Sequence, residues 1–443
     1  MSDGARRWAE RKVGWARLWA RAKQVVTTDP TGSEEDDQVV DEEAARVLAA
    51  QAGRLKGGLA KVAQLAAYDP GGSFGGRGVG ATAAARAVLG GLWDNAPAVA
   101  AGAIARVIEE DLGQPPQVLF AHWDPAPLAA ASLGQVHAAR LHDGTEVVIK
   151  VQYPGVADAL RADLDDAAFV RKLAGAEVGR SLDDAALTAL GAAVRGELDY
   201  RAEADAQERF AIAWAEHRVL RFPRVIRGLS SARVLTMTRA HGTSVVELGH
   251  SAPPEVRSAA ALGIFEVTWG SPLVHGLLNA DPNPGNFLVD VQPDGGVHVW
   301  CLDYGCAYAL PDEVRAADRE IWWGLLDEDN ASAAERFRMG LAGAGLLVRA
   351  NLLASTAHRD WERALAAPYA THGEFAWTAA YAHDLAQTTG SVLALGGLAL
   401  PAKVLLLWRQ RLGAAAVIAM LDARAPFRRV LFDLIGTGRK ALR

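Results

Sequence analysis

The segment from Asn279 to Asn286 constrains the fold of this chain more than any other. Its sequence, NADPNPGN, places Asp281 five residues before Asn286, and Asp303 follows later in the triplet Asp-Tyr-Gly. The apolar residues directly before Asp303 predict a short buried strand. In phosphoryl-transfer sites, one aspartate orients the nucleophile, while an asparagine and a second aspartate hold magnesium on ATP. The segment therefore predicts a site for ATP and Mg²⁺, with Asp281 catalytic and Asn286 and Asp303 as metal ligands.

A lysine upstream fits the same site. The residues from Val147 to Lys150 read VVIK, which matches the strand that carries the ATP-binding lysine of protein kinases. An Asp-Gly pair at 143–144 is a strong turn signal, so residues 136–151 predict a β-hairpin. The lysine, the two aspartates and the asparagine also follow one another in the order that kinases use, so the sequence predicts a kinase-like ATP site.

The lysine needs a carboxylate partner to hold its ammonium in place. Glu197 and Glu203 are the candidates, and both lie in a segment with helical character. They are six residues apart, nearly two helical turns, so they cannot occupy the same position beside Lys150. The spacing alone leaves open which of the two forms the pair.

Composition limits the class of protein. The chain has 443 residues, 50% of them hydrophobic and 22% charged, which predicts a packed globular protein with a catalytic unit of two lobes. A formal net charge of -6 gives no support for nucleic-acid binding. Cys301 and Cys306 are the only cysteines, too few for a disulfide framework or a four-ligand zinc site. We expect both to be reduced core residues of a cytoplasmic protein.

Two segments raise the question of a membrane. Residues 1–28 combine a stripe of tryptophan and aliphatic side chains with many arginines and lysines. Such a helix can lie on an anionic membrane surface or pack on the body of the protein itself, and both interpretations stay open. The most hydrophobic segment, from Ser391 to Trp408, contains Pro401 and Lys403, so we expect a buried core helix there rather than a membrane span. The N-terminus has no apolar stretch typical of a secretory signal.

The periodicity along the chain predicts an α+β fold with two lobes, a small mixed β/α N-lobe and a mainly helical C-lobe, preceded by a helical extension. The expected organisation has four parts: a basic helix and acidic linker at 1–43, a helical extension at 44–115, the N-lobe with inserted helices at 116–240, and the C-lobe with the catalytic loop at 241–443.

Several of these segments together resemble one family. They are Pro127–His137, Val151–Val156, Glu197–Tyr200 with the following Glu203-Ala204, and Asp281–Phe287. The combination is similar to the UbiB/AarF/ADCK atypical kinase-like family, which supports ubiquinone biosynthesis in bacteria and mitochondria. The resemblance covers roughly residues 50 to 430.

The resemblance implies further site residues. The family has a K-x-G-Q helix that folds over the site, and here Lys61 and Gln64 match it, with Ala63 in place of glycine. By resemblance, Lys61 and Gln64 approach the nucleotide and meet Glu197 and Asp199. Glu203 matches the partner of Lys150. The remaining implied nucleotide contacts are the alanine-rich loop, namely Ala129, Ala130, Ala131 and Ser132, together with Met237. The next residue, Thr238, stands where many family members have a hinge glutamate.

The expected function is that of an ATP- and magnesium-dependent atypical kinase-like protein. The stiff alanine loop and the covering helix argue for an ATPase rather than a protein kinase, in support of quinone or lipid metabolism. Two alternatives remain: a nucleotide-binding pseudokinase scaffold, and a phosphotransferase acting on a small molecule or protein. The expected partners are ATP, an anionic membrane surface, and quinone-pathway lipids or proteins, with a second copy of the chain as a further candidate and no nucleic acid. We expect a cytoplasmic location with peripheral membrane attachment as a candidate.

Overall fold

The computed structural model describes residues 99–131, 133–157, 196, 198–281, 283–347, 353–396 and 398–440. The predictions for the basic N-terminal helix and for Lys61, Gln64, Ser132 and Glu197 lie outside the described residues.

An antiparallel sheet of four strands forms the first part of the described chain. Its order is β1-β2-β3-β5, with β1 at His122–Ala130, β2 at Gly134–Arg140, β3 at Glu146–Gln152 and β5 at Val234–Thr238. The predicted hairpin is confirmed, since β2 and β3 pair in register, with Val136 opposite Lys150. Gly144 has φ +88° in the turn between them, a conformation that glycine adopts without strain.

Within the described ranges, three helices accompany this sheet: α1 at Ala101–Leu112, the short α2 at Pro116–Leu119, and α3 at Tyr200–Ala213. The apolar stripe of α1, with Ile104 and Ile108 fully buried, packs in one core with Ile149 of β3. Asp199 caps α3 by accepting a hydrogen bond from the Arg201 amide, and Glu203 lies in the first turn of this helix. The cap therefore fixes where α3 begins and which way Glu203 faces.

Two further sheets lie beyond α3. The larger has the order β4-β9-β8-β6, with β4 at Leu220–Arg221, β6 at Thr243–Ser244, β8 at Phe287–Val291 and β9 at Val297–Cys301. The smaller pairs β7 at Leu277–Asn279 with β10 at Ala307–Ala309. The buried strand predicted before Asp303 is present as β9, and it ends two residues before this aspartate. Both sheets thus bring their strand ends to the segments that contain Asp281 and Asp303.

The rest of the described chain is mainly helical. Its helices are α4 (Val245–Ser251), α5 (Pro254–Phe265), a π-helical segment (Glu266–His275), α6 (Asp312–Leu326), α7 (Asn330–Gly343), α8 (Thr356–Ala366), α9 (Ala379–Ala394), α10 (Ala402–Ala419) and α11 (Phe427–Lys440). Two short strands, β11 at Phe375–Trp377 and β12 at Ala423–Ala425, pair with each other. Short 3₁₀ turns occur at Arg227–Leu229, Pro284–Asn286 and Ala367–Tyr369. A core of buried aromatic residues holds these helices together, including Phe265, Trp269, Trp322, Trp377 and Phe427.

The prediction of one helix from Ser391 to Trp408 is wrong in one respect. The segment is divided between α9, which ends at Ala394, and α10, which begins at Ala402. Pro401 stands just before α10, because proline suits a helix start and would break a helix interior. The predicted burial is confirmed for α10, where residues 404–408 are all buried. Among the described residues, no helix combines the length and apolarity that a membrane crossing requires.

The two cysteines behave as expected. Cys301, at the end of β9, and Cys306 are both buried, and they form no disulfide. Burial raises the pKa of the Cys301 thiol well above its usual value, so this sulfur stays protonated and unreactive.

Candidate functional site

The Lys150 ammonium lies between two acidic side chains. Its Nζ donates to Oε1 and Oε2 of Glu203 at 2.7 and 2.9 Å, and to Oδ2 of Asp303 at 3.2 Å. The three residues come from β3, from the first turn of α3 and from the segment after β9. Glu203 is therefore the carboxylate that contacts Lys150, and the geometry joins the N-terminal sheet to the second part of the chain through Asp303.

Burial strengthens the interactions among these three charges, because little solvent screens them. The side chains of Lys150 and Glu203 are only 10% and 1% exposed, while that of Asp303 is 35% exposed. Burial by itself would lower the pKa of Lys150, but the charges of Asp303 and Glu203 outweigh it and hold this pKa well above 10.5. Burial raises the pKa of the Glu203 carboxyl, and the neighbouring ammonium opposes that rise. Asp303 is thus the most accessible of the three, and the one best placed to meet a ligand.

The loop from Asp281 to Asn286 is fixed by its own hydrogen bonds. Asn286 donates its side-chain amide to the backbone carbonyl of Asp281 at 2.8 Å. Asn283 caps the 3₁₀ turn at Pro284–Asn286 by accepting from the Gly285 amide at 2.8 Å. The loop therefore holds Asp281, whose side chain is 8% exposed, and Asn286 in one rigid unit.

Two more hydrogen bonds connect this loop to Asp303. The Asn279 side chain donates to the backbone carbonyl of Asp303 at 2.9 Å, and the Leu302 amide donates to the carbonyl of Asn286 at 2.8 Å. The Gly305 amide donates to Oδ1 of Asp303 at 3.0 Å and orients this carboxylate. The structure thereby brings together the predicted catalytic aspartate, the two predicted metal ligands and Lys150.

The donor set suits magnesium. Asn286 and Asp303 offer amide and carboxylate oxygens, the ligand type that Mg²⁺ prefers. Among the residues that the structure describes, no group of three or more His, Cys, Asp or Glu side chains could hold a metal alone. Mg²⁺ usually binds one or two carboxylates together with substrate phosphates, so this sparse set fits a metal that arrives with a nucleotide.

The predicted alanine-rich loop lies at the end of β1. Ala129 and Ala130 are the last part of this strand, and the Ala131 amide donates to the Gly134 carbonyl at 2.8 Å to close the turn into β2. A methyl group on Gly134 would lie 2.2 Å from the Val151 carbonyl oxygen, so only glycine fits there. The turn therefore sits directly against β3, the strand that carries Lys150.

The remaining predicted nucleotide contacts are less central. Met237 lies on β5 opposite Val148 and is 7% exposed; Gln207 donates to its sulfur at 3.7 Å. Asp199 is exposed and serves as the cap of α3, one turn before Glu203. The Asp199 carbonyl accepts a hydrogen bond from the Glu203 amide at 3.3 Å. In the described part of the chain, neither the Asp199 nor the Met237 side chain forms a hydrogen bond or ion pair with the side chains of Lys150, Glu203 or Asp303.

The sequence did not predict Arg409. Its Nη2 lies 3.3 Å from Oδ1 of Asp281, and its side chain is only 12% exposed. Arg409 comes from α10, and the one available signal was the presence of two arginines in an otherwise apolar helix. The second of them, Arg411, pairs with the buried Asp318 at 2.8 Å and stacks between the rings of Trp269 and Trp322. Arg411 thus belongs to the core, whereas Arg409 belongs to the site.

Comparisons with known proteins identify a family for this chain. The model of the ABC1 atypical kinase-like domain matches residues 91–337, a range that includes every residue of the Lys150 cluster and the catalytic loop but not Arg409. An uncharacterized protein of Mycobacterium tuberculosis is 32% identical over 273 residues, which are 58% of this chain and 53% of that protein. The mitochondrial atypical kinase COQ8B of Rattus norvegicus is 28% identical over 270 residues, 61% of this chain and 50% of that protein. The chain thus spans about half the length of these relatives.

A solved structure is also similar. It is the complex of Rv3197 with erythromycin from Mycobacterium tuberculosis, with a TM-score of 0.58 and 27% sequence identity, covering 77% of this chain and 84% of that one. The matches confirm the predicted fold class, a kinase-like α+β fold with a small β-rich part and a larger helical part.

Proposed function

The chain belongs to the ABC1 atypical kinase-like family, and from this premise we propose that it binds ATP with Mg²⁺ and hydrolyses it. We further propose that this activity supports isoprenoid quinone or lipid metabolism at a membrane surface, as the resemblance to the UbiB/AarF/ADCK proteins implies.

One observation carries the proposal: Lys150 lies between Glu203 and Asp303, at 2.7 and 3.2 Å. A kinase-like site works only when the strand lysine is held by its glutamate and the metal-binding aspartate is nearby. The contacts of Lys150 with Glu203 and Asp303, which come from three separate elements, support both conditions. A solvated surface lysine would have no such pair of buried or half-buried partners.

Each residue then has a specific task. Lys150 would contact the phosphates of ATP, while Asn286 and Asp303 would hold Mg²⁺ through their oxygens. The bound metal would neutralise charge that develops on the phosphate oxygens. Asp281 would orient a water whose oxygen bonds to the terminal phosphorus as the bond to the bridging oxygen breaks. The water proton would pass to the Asp281 carboxylate, and ADP and phosphate would leave.

Burial of Asp281 supports water as the acceptor. Its side chain is 8% exposed and is paired with Arg409. A hydroxyl group on a folded protein would have to reach a carboxylate of which little is exposed. Water is small enough to reach such a carboxylate.

The proposal is tested by measuring phosphate release with and without Mg²⁺ in the wild type and in Asp303→Asn. We expect hydrolysis that depends on Mg²⁺ and that disappears in the variant. Asp294→Asn is a matched control, since Asp294 is an exposed aspartate that caps the turn between β8 and β9, and it should leave hydrolysis unchanged. Unchanged turnover in Asp303→Asn would remove the proposal.

Two further measurements, made alongside phosphate release, separate the two alternatives. A rise in melting temperature with ATP, without release of phosphate, would indicate a nucleotide-binding scaffold. Transfer of labelled phosphate to a defined lipid, small molecule or protein would indicate a phosphotransferase.

Membrane attachment is tested separately. Deleting residues 1–28 should abolish binding to anionic liposomes, because this segment combines tryptophans with many positive charges. Equal binding by the truncated and full chains would refute attachment through this segment without affecting the ATPase proposal.

A further inference from the structure

A small cavity lies behind the catalytic loop. Its walls come from the loop, from α3, from the π-helical segment and from α10, and they include Phe210, Thr268, Asn279, Asp281, Asn286 and Gln410. The cavity offers about 20 Å³ to the centre of a water molecule, and one water needs about 10–15 Å³ on this measure. It is therefore large enough for one water and too small for a nucleotide or a lipid.

Gln410 directs an oxygen acceptor at this cavity. Gln410 is buried, with only 2% of the residue exposed. The Nε2 group donates to the backbone carbonyl of Thr268 at 2.5 Å. Because a carbonyl can only accept, this bond fixes which end of the amide is nitrogen. The other end, Oε1, is buried and has no hydrogen-bond donor among the residues that the structure describes.

Asn279, which also lines the cavity, repeats this arrangement. Its Nδ2 donates to the backbone carbonyl of Asp303 at 2.9 Å, which again fixes the orientation of the amide. Its Oδ1 is buried and lacks a donor within the described ranges. Leaving a buried acceptor unpaired is costly, so two such oxygens in one cavity call for a donor that fits inside it.

We propose that this cavity binds one ordered water that donates one hydrogen to Oε1 of Gln410 and the other to Oδ1 of Asn279. Water has two O–H donors, and the cavity presents two unpaired acceptors. A metal ion fits less well, because Ca²⁺ and Mg²⁺ take six or more oxygens and most of the remaining wall is apolar. Asp281 and Asn286 also line the cavity, but no nucleotide group takes part in this site, so the water can be tested without ATP.

The bound water gives the loop a support from behind. Asn279 ends β7, two residues before Asp281, and Gln410 follows Arg409 on α10. The water would therefore join α10 to the base of the loop, while Arg409 contacts the carboxylate of Asp281 directly. Two neighbouring residues of α10 then hold the catalytic aspartate, one directly and one through the water and Asn279.

A crystal structure of the nucleotide-free full chain, at a resolution where ordered waters are visible, tests the site. We expect a single peak within hydrogen-bond distance of both Oε1 of Gln410 and Oδ1 of Asn279. The absence of a peak, or a peak bonded to only one of the two oxygens, would overturn the proposal. A soak with rubidium ions distinguishes a cation, since an anomalous signal at this position would show an ion in place of water.

Variants at two glutamines sharpen the test. Gln410→Met keeps the length of the side chain and removes the acceptor, so the peak should be lost. Gln207→Met is the matched control: Gln207 is also fully buried, donates to the Pro223 carbonyl at 2.5 Å and leaves its Oε1 unpaired in the described structure, but it does not line this cavity. The peak should persist in Gln207→Met. An unchanged water in Gln410→Met would contradict the bridging geometry even if the wild-type peak is present.

Discussion

The guanidinium of Arg409 lies 3.3 Å from the carboxylate of Asp281, although 128 residues separate them in the chain. The two side chains are only 12% and 8% exposed, so the pair is shielded from solvent and from salt. Asn286 holds the backbone of Asp281 through a second, independent bond. Backbone and carboxylate of this aspartate are thus fixed from two directions.

Arg409→Met should lower kcat for ATP hydrolysis by about ten- to a hundredfold and leave KM for ATP nearly unchanged. The variant misplaces a group that acts on the attacking water, and small misplacements of this kind have effects of this size. Arg409→Lys should restore part of the rate, because it keeps the charge and loses the planar fork. Steady-state kinetics measure both parameters. Arg363→Met, which breaks the exposed pair with Asp360, is the control and should match the wild type.

The pair also has a readout that needs no nucleotide. Combining Arg409→Met with Asp281→Asn in a double-mutant cycle should give a coupling of about 1–2 kcal/mol in the free energy of unfolding. Additive effects of the two substitutions in urea titrations would show that the contact does not stabilise the fold.

Lys150→Met should destabilise the protein more than Glu203→Gln does. Without the ammonium, Glu203 must either stay charged in a buried position beside Asp303 or take up a proton, and removing one partner of such a buried pair costs about 3–5 kcal/mol. Glu203→Gln leaves Lys150 paired with Asp303 at 3.2 Å and still offers it an acceptor oxygen, so the cost is about 1–2 kcal/mol. Denaturant unfolding gives both values. The double variant should be more stable than Lys150→Met alone, and equal losses in the two single variants would contradict this account.

Much of the site was predictable because its residues lie in short motifs. Asp281 and Asn286 belong to one loop whose spacing is set by its own hydrogen bonds, and Lys150 follows a turn with a strong local signal. Local chemistry decides these features, so a single sequence can reveal them. The same holds for the hairpin and for β9 before Asp303.

Other features depend on how distant elements pack. Nothing local shows that α10 crosses behind the catalytic loop, so the contact of Arg409 with Asp281 could not be predicted. Pro401 was a local signal for a break in the apolar segment. The prediction of one helix gave more weight to the long run of apolar residues on both sides of this proline. The choice between Glu197 and Glu203 likewise required the position of α3 relative to β3.

Acid should destabilise the fold through His137. This residue is fully buried; its Nδ1 donates to the Asp124 carbonyl at 2.9 Å, and its Nε2 accepts from the Gln135 amide at 2.8 Å, so the ring is neutral. Burial lowers the pKa of His137 below the usual 6.5, and Asp124 offsets this only in part. The unfolded chain then binds the proton more readily than the folded chain.

The expected pH dependence follows from that sign. The contribution of His137 to the free energy of unfolding should be constant above about pH 6.5. Below this pH it should fall, by at most about 1.4 kcal/mol per pH unit. Urea titrations at about pH 7.5 and about pH 5.5 measure the loss. His137→Gln keeps a donor and an acceptor without titrating, so it should lose less between these two pH values. His275 and His358, whose pKa values burial also lowers, add a slope of the same sign. Glu203, whose pKa burial raises to about 7, adds a slope of the opposite sign. A larger loss of unfolding free energy in His137→Gln than in the wild type would show that His137 does not cause the acid destabilisation.

Gly340 lies where α7 packs against α6, and no larger residue should fit at this position. A methyl group on Gly340 would lie 2.6 Å from the Ile321 amide nitrogen and 2.8 Å from the Ala317 carbonyl oxygen, both backbone atoms that cannot turn aside. Gly340→Ala should therefore force the helices apart and cost about 1–3 kcal/mol of unfolding free energy. Gly436→Ala in α11 is the matched control, since no heavy atom of the described residues lies within 4 Å of the added carbon. It should stabilise the protein by up to about 1 kcal/mol, because alanine favours a helix interior over glycine. Thermal unfolding of the two variants should thus shift in opposite directions, and a shift in the same direction would show that α6 and α7 pack less closely than the backbone contacts indicate.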